Sequence, residues 1–418
     1  MKSLLFLRTG LIIYFYGMAK RSLVERYLLS PVREFIQDSR AVGIALICCT
    51  IVSLILSNSS YSGVYNSFWA KDILATGGGL HLPHTVLHFI NDGLMAVFFL
   101  MVGMEIKREL MTGELNTVKK AMLPAFAAVG GMVVPAIIYA AWCGGTPFSN
   151  GWGIPMATDI AFSLGILSLL GKKAPLSLRI FLTALAIIDD LGGILAIAIF
   201  YAGEIDLVYL GLGFLVLVLL TAMNLLKVKR NYFFFLPGLL LWYFIYNSGV
   251  HATIAGVVLA FTIPLRNINK LIHGLHDPVN FIILPFFALA NTAIVFPADI
   301  GFVFTSQLHH GIFMGLVLGK PLGIVLFSLL AVRLKIAELP QRLLWRQILG
   351  MGMVAGIGFT ISIFMATLAL QGDEPQTIAK IAIMGASLVS GVLGFVYLKY
   401  VHGKTHRGGS NIADPLTK

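Results

Sequence analysis

Apolar runs of about 20 residues recur along this chain from about residue 41 to residue 401, separated by short polar loops. A run of that length crosses the hydrocarbon core of a bilayer as an α-helix. In lipid each spanning segment has to satisfy its own backbone N–H and C=O groups, which leaves only helices and closed barrels. A membrane barrel shows runs of about 10 residues with alternating polarity; these runs are longer and do not alternate. Composition agrees: 58% of residues are hydrophobic and 12% are charged, about half the charge of a soluble domain, and the mean hydropathy is +0.88. The expected fold is an all-α polytopic membrane protein.

Twelve candidate spans lie near 41–57, 85–106, 121–143, 150–171, 177–202, 207–226, 232–247, 249–264, 279–296, 310–332, 347–370 and 378–400. The loops between them alternate in charge. Of the 30 Lys and Arg residues, 27 fall on one side, in the N-terminal segment, the loops after even-numbered spans and the tail. Only Lys71 and Lys380 fall on the other. Basic loops stay in the cytoplasm, so both termini are expected there, as an even number of spans requires. The net charge of +11 is spread over short loops instead of forming one basic face, which argues against a nucleic-acid partner. The expected organisation is a cytoplasmic segment at 1–39, one transmembrane domain at 40–402 and a cytoplasmic tail at 403–418. The stretch Leu4–Met18 is apolar but short and carries Arg8, so it reads as a surface helix or a signal-like stretch. Met18, followed by Ala-Lys-Arg, offers an alternative start to Met1. Cys48, Cys49 and Cys143 lie in apolar runs without metal-ligand spacing and read as small core residues.

Lys320 is the remaining basic residue, and it lies inside a span, in GLVLGKPLGIVLF. Asp92, Asp159, Asp189 and Asp190 are likewise inside spans, and Glu105 is near the end of one. A charge at a span centre costs about 2.5–3.5 kcal/mol on insertion scales, so such residues are functional candidates by default. The adjacent pair in LAIIDDLGGILAI is the most demanding. Neighbours on a helix point about 100° apart, so the two acids address one cavity from different sides. A low dielectric and a neighbouring like charge both favour the protonated form of a carboxyl, and such a pair titrates as a unit. A deprotonated carboxylate is also a hard oxygen ligand for a small cation. A buried acid of this kind therefore exchanges a proton for a cation, and Lys320 is the natural counter-charge. Gly192-Gly193 beside the pair reads as room for a crossing helix.

Two spans carry signs of interruption. GIPMATDIAFSLGIL places Gly153 and Pro155 before Thr158 and Asp159, and GMGMVAGIGFTISIF places Gly350, Gly352, Gly356 and Gly358 before Thr360. Interrupted helices in corresponding halves point to a transporter site, whereas glycine-rich faces alone also serve helix packing. His251 reads either as a packed histidine or as a functional one. His273 and His276 fall in a cytoplasmic loop, as solvated residues or proton sensors. No phosphate-binding loop, haem-attachment motif or metal cluster is present in the sequence, so transport would draw on an ion gradient and not on a nucleotide.

Six motifs in order resemble the NhaA-type Na+/H+ antiporters: INDGLMAVFFLMVGMEIKREL (Ile90 to Leu110), ATDIAFSLG (Ala157 to Gly165), ALAIIDDLGGILAIAIFY (Ala184 to Tyr201), SGVHATIAGV (Ser248 to Val257), GKPLGI (Gly319 to Ile324) and GIGFTISIF (Gly356 to Phe364). The resemblance runs from about Arg40 to Val401. It implies twelve helices with inverted repeats, spans 4 and 11 being interrupted and crossing. It implies an electrogenic, pH-regulated antiporter of the bacterial inner membrane that expels Na+, and also Li+, against inward protons. Asp190 would be the principal carboxylate for cation and proton, so Na+ would be held at Asp190 and Asp189. Asp189 would exchange a salt bridge with Lys320 for ion or proton binding. Thr158 and Asp159 would support the crossing, with Asp159 and Lys320 offsetting the opposed helix-end dipoles. Asp92, Glu105, Arg108 and Glu109 match a cytoplasmic funnel, and His251 matches a position tied to pH response. No catalytic residue and no cofactor beyond the transported ions is implied. The partners are the ions, the lipid bilayer and a homodimer formed through a small external hairpin within Ser59–Pro83. One departure is Ile272, where family members carry a glutamate, which bears on the pH profile.

Two other classes share features with this chain. An intramembrane aspartyl protease also uses two membrane aspartates, but its GxGD signature is absent from the sequence. A proton-coupled organic-ion symporter would suit a roomier site with more polar positions.

Overall fold

The computed structural model describes residues 40–73, 81–171, 174–228, 230, 232–340 and 343–407. The expected segment 1–39, residues 408–418 of the expected tail 403–418, and residues 74–80 of the segment expected to hold an external hairpin lie outside the described residues. Helices α1 (Ala41–Ser57) and α2 (Ser62–Ala70) are bent by 115° from each other. They precede α3 (Val86–Met111), α4 (Val118–Cys143), a 3₁₀ segment at Ser149–Met156 with α5 (Ile160–Leu169), and α6 (Leu176–Phe200). Then follow α7 (Leu207–Leu225), α8 (Tyr232–Asn247), α9 (Thr253–Thr262), α10 (Leu265–Asn291) and α11 (Gln307–Arg333). The described residues end in α12 (Trp345–Ala355), α13 (Phe359–Ala369) and α14 (Asp373–Arg407). Among the described residues the one extended pairing is an antiparallel bridge between Asp72 and Thr85.

Eight of these segments are long and apolar enough to cross a bilayer, or ten if each bent pair counts as one span. The chain is an integral membrane protein. Eight of the expected spans fall on those eight helices. The remaining four, at 41–57, 232–247, 249–264 and 347–370, fall on shorter or bent helices. The ninth expected span differs most, because its helix begins at Leu265 instead of near 279. Residues 265–278 form an amphipathic first half that buries Ile268 and Ile272 while Arg266, Lys270 and His273 face outward. His273 and His276 are therefore helical and not in a loop.

Lipid is as apolar as leucine, so association of these helices rests on close packing and on polar contacts. Small residues let backbones meet. A Cβ at Gly130 of α4 would strike the carbonyl oxygen of Gly323 on α11, and one at Gly323 would strike that of Gly130. Lys107 of α3 donates to the carbonyls of Phe261 (2.7 Å) and Ile263 (2.6 Å), closing the open C-terminal end of α9. Among the described residues three helices contain a π-helical turn, at Phe89–Leu94 in α3, Val279–Ile283 in α10 and Gly315–Gly319 in α11. Asp92 lies within the first, Asn280 within the second, and Lys320 directly follows the third.

Candidate functional site

The site is organised by two breaks in helical structure that face each other. Residues 157–159 are extended between the 3₁₀ segment and α5. Pro155 there supplies no N–H to continue a helix. Between α12 and α13 the chain turns by 50° over residues 356–358. Gly356 is held against the carbonyl oxygen of Leu316, where a Cβ would not fit. The breaks bond directly: the Asp159 N–H donates to the carbonyl of Ile357 at 2.7 Å, the Ser362 hydroxyl to that of Ile154 at 2.8 Å, and the Ser163 hydroxyl to that of Val354 at 3.2 Å.

A helix N-terminus leaves backbone donors unpaired and carries a partial positive charge. Asp159 answers two such ends at once. Its Oδ1 accepts from the N–H of Phe162 at 3.1 Å, capping α5. Its Oδ2 accepts from the N–H (3.1 Å) and the hydroxyl (2.5 Å) of Thr360, at the start of α13. Asp159 is 2% exposed.

Asp189 and Lys320 meet beside this junction. Lys320 Nζ donates to Asp189 Oδ2 at 2.5 Å and to Thr158 Oγ1 at 2.8 Å. The Thr158 hydroxyl in turn lies 2.7 Å from Asp189 Oδ2 and 3.1 Å from the carbonyl oxygen of Ala355, the last residue of α12, and its single proton serves one of them at a time. The lysine therefore reaches the C-terminal end of α12 through Thr158 and not by its own hydrogen bond to a carbonyl, which refines the expected pairing of Lys320 with a helix end.

Asp190, the next residue, is different. It is 3% exposed, and no group among the described residues donates to it. It lines a cavity of about 350 Å³ together with Glu105, Asp159, His276, Asn280 and Thr360; the other walls are apolar. The carboxylate held through Oδ2 by Lys320 and Thr158, whose Oδ1 stays without a donor, and the carboxylate with no donor at all are thus adjacent in sequence, on two faces of α6.

The remaining candidates are not all brought together. Glu105 reaches the cavity, whereas Asp92 lies 13 residues earlier on the same helix, about 20 Å away along its axis. Asp92 Oδ1 stands 3.8 Å from His251 Nδ1, and the indole N–H of Trp242 donates to its carbonyl at 2.8 Å. Asp92 and His251 therefore form a separate cluster at the opposite end of α3. Arg108 and Glu109 pair with each other at 3.0 Å, and Glu109 Oε2 accepts from the N–H of Glu114 at 3.1 Å. Neither lines the cavity. Gly192 faces Met132 of α4, and nothing lies within 4 Å of a Cβ at Gly193. The glycine pair does not admit the crossing segments, because those meet at Thr158, Asp159 and Thr360. Sequence reasoning missed Asn280, whose only signal was an amide at the start of an apolar run. It also left His276 in a loop, away from the cavity it lines.

The family model for Na+/H+ antiporter 1 matches residues 33–398. The chain belongs to that family. Curated relatives of this antiporter family align over nearly their whole length. Na+/H+ antiporter NhaA 2 of Flavobacterium johnsoniae is 49% identical over 92% of this chain and 95% of its own. The NhaA antiporter of Cytophaga hutchinsonii is 49% identical over 88% and 94%, and that of Citrobacter koseri 45% identical over 89% and 98%.

Proposed function

We propose that this chain is a secondary antiporter that carries Na+, and also Li+, out of a bacterial cell in exchange for protons. The observation that carries the reading is the asymmetry of the aspartate pair: Asp189 is bonded to Lys320 and Thr158, while Asp190 has no donor and faces a cavity. A carboxylate without protein donors accepts either a proton or a hard monovalent cation. The two compete for Asp190, and each leaves only when the other arrives or the site changes sides. Asp189 holds Lys320 in one state and, when Lys320 gives it up, joins Asp190 in binding the cation. If the lysine proton takes part, the cycle moves net charge and responds to membrane potential.

In this reading the two breaks are interruptions of spans 4 and 11, which cross within a twelve-helix, inverted-repeat architecture occupying residues 40–402. Asp159 neutralises the two facing N-termini so that the junction moves as a unit during alternating access. Both termini are cytoplasmic, in the inner membrane, which puts Glu105 and the cavity mouth on the cytoplasmic side. Asp92 with His251, and Arg108 with Glu109, are candidates for pH response. Transport needs no cofactor and no nucleotide. A homodimer would form through the external segment Ser59–Pro83, which the Asp72–Thr85 bridge draws together.

The test uses everted membrane vesicles energised to an acid interior. Added Na+ and Li+ should dissipate the pH gradient, and K+ should not. A gradient indifferent to Na+ in vesicles that contain the protein would sink the reading.

A further inference from the structure

Two helix faces form nearly half of the cavity lining, and together they reveal a polar step with no assigned task. On α3 the facing residues are Phe98, Met101, Val102 and Glu105, a single stripe at helical spacing. On α10 they are His276, Asn280 and Leu284, each four apart. The two helices run antiparallel. Asn91 of α3 meets Asn291 of α10, whose amide donates to Asn91 Oδ1 at 2.8 Å, while Glu105 shares the cavity with His276. His276 is exposed and pairs with Asp277 at 3.1 Å, so it marks the mouth.

Asn280 lies one turn further in, about 6 Å along the axis. At that depth α3 offers Met101 and Val102, and the cavity's other walls include Ile160, Leu164 and Ile361. Asn280 is 8% exposed, and its side chain has no hydrogen-bond partner among the described residues. Its amide is not among the fully enclosed unpaired polar atoms, so it opens onto the cavity, where a polar group normally finds a partner. It also sits on the π-helical turn Val279–Ile283, directly after Pro278. Such turns are found frequently at functional sites. On the cavity floor Asp159 already accepts from Phe162 and Thr360, which leaves Asp190 as the acceptor there.

We propose that Asn280 is a cation-positioning residue: its Oδ1 holds a partly dehydrated Na+ or Li+ between the mouth, at Glu105 and His276, and Asp190. The inference rests on the antiport reading above and deepens it. An amide oxygen is a hard ligand suited to these ions. Being neutral, it binds weakly enough to release the ion inward, as conduction through successive sites requires. Without it the ion would cross a stretch walled by methionine, valine, isoleucine and leucine with only water to replace its lost shell.

The test titrates Na+ on everted vesicles carrying the full chain, comparing wild type with Asn280→Ala and Asn280→Asp. Asn280→Ala should raise the half-saturating Na+ concentration by about three- to tenfold, the effect of losing one polar contact. Its maximal rate should stay within about twofold, since Asp190 is untouched. Asn280→Asp keeps an oxygen in the same place and should return half-saturation to the wild-type value or below. Should Asn280→Ala fail to accumulate in the membrane, Asn280→Ser, whose hydroxyl stops short of the amide's reach, carries the same expectation. Half-saturation unchanged by the truncation, a loss confined to the maximal rate, or an aspartate variant that behaves like alanine would overturn the proposal. A wild-type chain without any Na+ response overturns the antiport reading itself, and the inference with it.

Discussion

Lys320 Nζ lies 2.5 Å from Asp189 Oδ2, and solvent reaches neither side chain. Burying two charges is costly even when they pair, but removing one partner is worse, because the other remains buried and uncompensated. Lys320→Met should therefore lower stability by about 3–5 kcal/mol, read as a lower melting temperature of the purified protein in detergent. Adding Asp189→Asn to that variant should recover most of the loss. Losses in the double variant that equal the sum of the two single losses would show that the two side chains are not coupled.

Asp159 joins two helix ends through three donors, two of them from Thr360. Thr360→Val keeps the shape and the backbone donor and removes only the hydroxyl. It should cost about 1–3 kcal/mol, the range for an interrupted buried hydrogen bond to a charged group. Asp159→Ala, which strips both ends, should cost more. Thermal unfolding of the two variants side by side gives the order, and a Thr360 effect equal to the Asp159 effect would contradict the double-cap account.

The backbone contact between Gly130 and Gly323 lies one turn from Lys320, and a Cβ at the neighbouring Gly131 would stand 3.7 Å from the lysine's Cδ. Gly323→Val should force α4 and α11 apart, at about 1–3 kcal/mol for overpacking, and weaken Na+-dependent proton release. Full activity together with full stability in this variant would mean that the close approach does not hold the lysine in place.

The charged centre was legible because each of its members breaks an apolar run. Asp189, Asp190, Asp159 and Lys320 were all found that way, and the structure brings all four to one junction. Partnership was less visible. Nothing in LAIIDDLGGILAI says which acid takes the lysine, because that depends on which face of α6 meets α11. Thr360 stood out only by its place after the glycines of GMGMVAGIGFTISIF, since a hydroxyl in an apolar helix carries no penalty large enough to notice. Asn280, inside the expected ninth span, was hidden because a neutral amide breaks an apolar run less than a charge does, and His276 was hidden by a boundary error. The polar face of residues 265–278 looked like a loop because an amphipathic helix at the membrane edge lacks a continuous apolar run. Asp92 and Glu105 matched one motif but lie near opposite ends of one helix, a distance that motif order does not encode.

The glycine pair beside the aspartates provides a contrast with Gly323. Nothing lies within 4 Å of a Cβ at Gly193. Gly193→Ala should leave Na+ transport intact and raise stability by up to about 1 kcal/mol, the helix-propensity gain of alanine over glycine. A drop in the melting temperature of this variant would restore the idea that a neighbour needs the space.

The most direct test concerns Asp190 alone. Asp190→Asn keeps the size of the side chain and removes its capacity to ionise, while the ion pair, the double cap and the helix contacts stay as they are. In everted vesicles that contain wild-type amounts of the variant, with a melting temperature close to wild type, Na+ should no longer dissipate the pH gradient at any concentration tested. A Na+ response equal to that of wild type would contradict the assignment of Asp190 as the carboxylate for which cation and proton compete.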